Sequence, residues 1–479
     1  MNYHDFQLNQ TRRTFLSRGA RGLGLAAFAT LLGGKQLFGD EKKFAVEHWK
    51  GTINPLHHAP KAKRVIHLYM AGGPSHLETF DFKPKLREMH NQPMPDSFTK
   101  GQPIAQLQGQ ALKCFAPQWD FKKFGKCGLE ISELFPLIGS MADDICMIRS
   151  MKTEQINHDP AHTFMNTGSS ISGRPSMGAW LSYGLGSEAE NLPSFVVMTS
   201  AGKGGQMQPI AQRMWSSGFL PTKFQGVRIE SKGEGVLYLG NTPGCTHDQQ
   251  HDLVQAVQQL DLGRNDLVND PEIATRISQY EMAFRMQTSV PELMDVSKET
   301  KETLDLYGVK GADGSFAFNC LIARRMAERG VRFIQLYHKD WDHHGNVKND
   351  VKLKAEEVDR PAMALLTDLK RLGMLDDTLV IFGGEFGRTP MSQGGSGRDH
   401  HIKGFSVWLA GGGVKGGMSY GNTDELGYNA VEDVCPVHDL HATMLHLLGV
   451  NHLRFTYKFQ GRDYRLTDVF GEVMKKILV

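Results

Sequence analysis

Apolar, β-branched runs recur along this chain, and several of them stop at glycines or at acid and imidazole groups. Arg64–Met70 (RVIHLYM) leads into Ala71-Gly72-Gly73-Pro74-Ser75-His76, and Val331–Tyr337 (VRFIQLY) leads into His338-Lys339-Asp340-Trp341-Asp342-His343-His344. Thr378–Phe382 (TLVIF) stops at Gly383-Gly384-Glu385, and Phe405–Ala410 (FSVWLA) at Gly411-Gly412-Gly413; Ser194–Thr199 (SFVVMT) is a further run of this kind. Runs without polar alternation suit strands buried on both faces. Helical patterning lies between several of them, from Leu253 to Met294, Thr300 to Arg329 and Val351 to Leu372, with Pro361 expected to kink or restart the last. Such a chain predicts an α/β fold with an open sheet, whose ligands collect at the carboxyl ends of the strands. Ile131–Ile148 carries helical spacing at Leu134, Leu137, Ile138 and Met141 and is read as helix.

The strand ends hold the chemistry. Glu385 sits just past a buried run, Gly387-Arg388 follows, and a Gly/Ser loop closes on Asp399-His400-His401. These are hard and borderline metal donors. Asp342 and His344 alternate in an extended segment, so both can face one ion. Strand, helix, strand with a right-handed crossover predicts that the ends at Asp342 and Glu385 lie side by side. His76 and Asp81, after the first strand, are further ligand candidates, while Ser75 suits a helix cap. No G-x-S-x-G elbow makes Ser75 a nucleophile. In His158-Asp159-Pro160-Ala161-His162, Pro160 suits a first helical turn and Gly168 a helix end, placing His158 at a helix N-terminus that favours anions. His441 and His446 are read as packed groups on the helix Val437–Val450.

Composition excludes more than it selects. Lys+Arg 54 against Asp+Glu 52 leaves +2, which gives no electrostatic case for nucleic acid. The cysteines at 114, 127, 146, 245, 320 and 435 form no CxxC pair, which argues against a thiolate zinc site. Residues 1–39 read as an export address: Arg12-Arg13 in TRRTFLS resembles the twin-arginine motif, and the apolar run Gly22–Gly34 is shorter than the roughly 20 residues a bilayer span needs. The expected location is therefore the periplasm or cell envelope, with the twin-arginine machinery as partner and a membrane tether only if the signal is retained. Residues 40–60 read as a lead-in and 61–475 as a single α/β domain.

Several segments together resemble the alkaline phosphatase and sulfatase superfamily. His158-Asp159-Pro160-Ala161-His162 through Thr167-Gly168 parallels the sulfatase signature, with Pro160, Thr167 and Gly168 matching, His158 at the formylglycine position and His162 at the signature arginine. Leu379–Gly387 parallels a metal-binding strand end, with Glu385 in the aspartate place and Phe386 where a ligand usually stands; Asp439–Gly449 parallels a late helix. More closely, the chain is identified as a member of a family of exported, sulfatase-like bacterial proteins defined as a domain of unknown function, on Met70–Asp81, Trp341–Asn346 and Gly384–Pro390. The resemblance implies a three-layer sandwich with a mostly parallel sheet and helices on both faces. No Cys or Ser stands at position 158, so formylglycine chemistry is not implied.

The expectation that follows is a metal-dependent hydrolase of a phosphate, sulfate or related ester on a small molecule or glycan. Asp342, His344, Glu385 and His400 would be ligands, with Asp399 or His76 completing the set. His158 would be base or nucleophile, His162 its catalytic neighbour, and Arg388 the group that stabilises developing negative charge. Mixed N/O donors point to zinc or manganese more than calcium. The alternative is a binding or scaffold protein on the same fold that has lost catalysis.

Overall fold

The computed structural model describes residues 49–200, 203, 210–233, 235–236, 246, 249–250, 252 and 271–479. The export segment, part of the lead-in, much of Gly202–Gly244 and the pattern from Leu253 to Asp270 lie outside the described residues. The chain divides into two units, residues 48–239 with 261–479 and residues 1–47 with 240–260. In the smaller unit, the described amides of Thr246 and Gln249 donate to each other's side chains at 3.0 and 3.2 Å.

The larger unit is built on a nine-stranded sheet. Its strands are β1 (Arg64–Met70), β2 (Ile145–Lys152), β3 (Phe195–Ser200), β4 (Val227–Arg228), β5 (Phe333–His338) and β6 (Thr378–Gly383). A hairpin of β7 (Gly387–Gln393) and β8 (Gly397–His401) stands apart, and β9 (Phe405–Ala410), β10 (Met418–Tyr420) and β11 (Cys435–Pro436) complete the sheet. The order is β10-β2-β9-β6-β1-β5-β3-β4, with β11 on β2. All pairings are parallel except those of β9, which runs against both β2 and β6.

Burial on both faces explains the unbroken apolar runs. In β1, Ile66, Leu68 and Met70 enter one core and Val65 and Tyr69 the other. The first core is closed by Pro271–Met294, Phe316–Glu328 and Val347–Arg371; the second by α1 (His158–Thr167), Met177–Leu185 and Val437–Leu447. The result is the three-layer α/β sandwich that the resemblance implied.

Two expectations change here. Ile145–Lys152 is a strand, not part of a helix; the helical spacing upstream serves only the short helix Pro136–Ser140. Ile145 and Met147 face one core and Cys146 and Ile148 the other, so an apolar run mimicked a buried helix. The helix Val347–Arg371 also does not restart at Pro361, which lies inside it.

Candidate metal centre

Sheet order corrects the predicted neighbours. The ends of β5 and β6 do not lie side by side, because β1 pairs with both and separates them. The three ends nevertheless converge. Beyond β1 and β5 the pairing continues, Ala71 N donating to His338 O at 2.8 Å and Trp341 N to Ala71 O at 3.1 Å. Gly72 has φ +121°, and a Cβ there would stand 2.7 Å from the Asp342 nitrogen. The close approach of the two loops therefore needs glycine.

Asp342 Oδ1 is the focus. It lies 3.1 Å from His158 Nε2, 2.9 Å from His344 Nε2 and 3.3 Å from His400 Nε2. His344 Nε2 and His400 Nε2 are 2.9 Å apart. The four ligand atoms come from three places in the chain, Asp342 and His344 sharing the loop after β5. His158 begins α1, which ends as expected at Gly168 in the left-handed region (φ 68°). His344 comes from the loop after β5, its Nδ1 held by Gln393 Oε1 at 2.6 Å. His400 comes from β8, its Nδ1 donating to Ile156 O at 2.8 Å. The four donor atoms lie within 4.8 Å of one another. Phe386, in the place of a ligand, is buried with its ring 4.8 Å from those of both His158 and His400.

Three imidazoles and a carboxylate fit a transition-metal site. With zinc bonds of 2.0–2.2 Å, tetrahedral donor atoms would sit roughly 3.3–3.5 Å apart. The observed separations are close to this. His158 and His344 keep 12% and 16% of their side-chain surface open, against 5% for Asp342.

The electrostatics are those of a gathered anion. Burial works to raise the Asp342 carboxyl, but hydrogen bonds from His158, His344 and His400 and the Arg388 charge hold it well below the carboxylate range. Burial pulls His158 down, yet the carboxylates of Asp342 and Glu385 outweigh it and leave the imidazole above its usual value. Burial dominates for His162 and His400, which are lowered.

The remaining predicted residues are distributed around this centre. Glu385 is fully buried behind His158: its Oε1 takes His158 Nδ1 at 2.7 Å, and Gly72 N reaches both its oxygens at 3.0 and 3.3 Å. His162 lies deeper, its Nδ1 2.8 Å from the Tyr69 hydroxyl and 3.5 Å from Glu385 Oε2; with His158 and Glu385 it forms a second group of metal-type donors. Arg388 is not placed to meet developing charge on a substrate. It is fully buried and donates to Gly73 O at 2.8 Å, Arg398 O at 3.2 Å, Gly72 O, and Asp342 Oδ1 at 2.6 Å. Asp399 faces away, accepting the amides of Gln106 and Leu107 at 2.7 and 2.9 Å and that of His400 at 2.8 Å. His76 is elsewhere, with Nε2 2.9 Å from Gly427 O; Ser75 precedes its short helix but makes no side-chain cap. His441 is packed as expected, against Met165 O at 2.9 Å.

Residues not anticipated are Tyr69 beneath His162 and the amides Gln106 and Gln393 beside His344. Tyr69 carried a weak signal, a polar tip in a buried strand that also holds His67; the glutamines carried none.

Among solved structures the chain is similar to the PsFucS1 sulfatase from Pseudoalteromonas sp. (13% identity, 81% of this chain and 68% of that one, TM-score 0.34). It is also similar to the lipoteichoic acid synthase LtaP from Listeria monocytogenes (11%, 84% and 75%, TM-score 0.34). A third is a TAB5 alkaline phosphatase mutant with magnesium bound (11%, 82% and 99%, TM-score 0.30). No curated protein matches the sequence. Residues 62–478 match one family along their whole length, and the chain thus belongs to the proteins of unknown function grouped as DUF1501.

Proposed function

We propose that the chain is an exported, metal-dependent hydrolase of a phosphate, sulfate or related ester. The observation that carries this is the convergence of His158, Asp342, His344 and His400 on one partly open point. A zinc or manganese ion bound there would supply Lewis acidity and, for zinc, lower the pKa of a bound water to about 7. The protein's own part is orientation. Gln393 and the Ile156 carbonyl fix the rings of His344 and His400, and the N-terminus of α1 turns backbone N–H groups toward an anionic ester. In this reading His158 is a ligand, and Arg388 positions Asp342 without touching substrate. The sulfatase-like pattern from His158 to Gly168 supports the ester class.

The binding-protein reading draws on a specific observation as well: Arg388 already neutralises Asp342, and Phe386 fills a ligand place. One experiment separates the two. Chain purified from the exported fraction without added metal is analysed for its elements, then assayed on aryl phosphate, phosphodiester, phosphonate and sulfate esters. Near-stoichiometric zinc or manganese with turnover of one ester class is expected. Absence of both would install the binding protein instead.

The address in residues 11–17 supports export through the twin-arginine machinery. Arg12→Lys with Arg13→Lys is expected to leave the protein in the cytoplasm, read by cell fractionation; unchanged periplasmic yield would remove this part of the proposal.

A further inference from the structure

We infer that Glu385 acts on the metal centre from behind His158, as the carboxylate that fixes this ring's tautomer, and is not itself a ligand. The inference rests on the reading of His158, Asp342, His344 and His400 as the metal site. The two nitrogens of an imidazole lie on opposite sides of the ring, and in His158 each faces a different carboxylate. Nε2 faces Asp342 Oδ1 at 3.1 Å, within the four-residue group; Nδ1 faces Glu385 Oε1 at 2.7 Å, outside it. An ionised carboxylate only accepts, so the Nδ1 contact requires the proton on Nδ1. Nε2 is then the nitrogen turned to the Asp342 side, the one whose lone pair a cation there would take.

What surrounds Glu385 favours this role. It is fully buried, and the Gly72 amide holds both its oxygens. The other imidazole near it, His162, is committed elsewhere. Its Nδ1 is closer to the Tyr69 hydroxyl, 2.8 Å, than to Glu385 Oε2, 3.5 Å. The Tyr69 hydroxyl and His162 Nδ1 share this hydrogen bond. Of the two imidazoles near Glu385, His158 makes the shorter contact, 2.7 Å against 3.5 Å. A carboxylate–imidazole–metal arrangement of this kind orients the ligand and raises its basicity.

The test uses the full exported chain loaded with zinc or cobalt(II), with metal affinity read by competition against a chromophoric chelator. Wild type is expected to bind one ion, and 15N-histidine spectra to place the proton of His158 on Nδ1 and the metal on Nε2. Glu385→Gln is expected to keep one ion and the wild-type cobalt absorption while losing about 10–100-fold in affinity. A changed cobalt spectrum would make Glu385 a ligand and overturn the inference while leaving the metal site standing. So would two ions in wild type, the second held by His158, His162 and Glu385, or a metal on Nδ1 of His158. Wild type that binds no ion removes the metal site and the inference with it. If Glu385→Gln does not fold, Glu385→Asp keeps the charge, and the 15N spectra of wild type decide without any variant.

Discussion

His344→Ala is expected to strip the purified protein of its metal and of ester hydrolysis together, with the fold intact by circular dichroism. His344 Nε2 touches both Asp342 Oδ1, at 2.9 Å, and His400 Nε2, at 2.9 Å, so its loss opens the donor set at its most exposed corner. Removing a direct ligand should exceed the about 10–100-fold in affinity that outer partners cost. The same measurement on Asp399→Asn and His76→Ala provides the contrast. Asp399 accepts backbone amides and His76 binds the Gly427 carbonyl, so both variants are expected to retain stoichiometric metal. Metal content by elemental analysis sorts the three. Wild-type metal in His344→Ala, or its loss in His76→Ala, would show that the donors have been grouped wrongly.

The second large effect is on stability. Glu78 and Arg398 form an ion pair in which neither side chain has any exposed surface, Arg398 Nη2 lying 2.7 Å from Glu78 Oε1 and Nε 2.9 Å from the same oxygen. Arg398 also donates to the carbonyls of Thr389, Phe115 and Ala116 at 3.1, 3.0 and 3.0 Å, and Glu78 Oε2 accepts the Gln118 amide at 2.7 Å. The pair fastens β8, and with it His400, to the loop after β1. Breaking a buried pair from one side leaves an uncompensated charge, at a cost of about 3–5 kcal/mol. Glu78→Gln is therefore expected to lose that much in urea unfolding, whereas the exposed pair Lys85–Glu88 is expected to contribute under about 1 kcal/mol. A loss below about 1 kcal/mol for Glu78→Gln would mean that the carbonyls around Arg398 carry its charge unaided.

Much of the framework was legible because burial on both faces leaves a mark in the sequence. Arg64–Met70, Thr378–Phe382 and Phe405–Ala410 are strands almost to the residue, and Asp342 and His344 do meet at one point, though across a turn in which the His344 amide donates to the Asp342 carbonyl at 3.2 Å rather than along an extended segment. Strand order left no such mark. That β1 separates β5 from β6 follows from tertiary packing, as does the use of three strand ends rather than two. The direction of a side chain on a short strand was equally hidden. In Arg398-Asp399-His400 the successive residues serve the Glu78 pair, the Gln106 loop and the Asp342 group, and the register shift between Arg398 and His400 decides which goes where. Arg388 read as a substrate contact because an arginine at a strand end usually meets solvent; here the neighbouring carbonyls take its donors.

That arginine has a mechanical consequence. Its planar fork reaches the backbone of Gly72 and Gly73 after β1, Asp342 after β5 and Arg398 in β8, a span that the single ammonium of a lysine does not match. Three loops are thereby riveted into one body, and none of them can swing aside without releasing the others. Any gating motion over the centre then falls to segments the guanidinium does not tie. The short turn Gln212–Trp215 is held separately, with Met214 and Trp215 buried in the second core and Arg213 paired with Asp159 of α1.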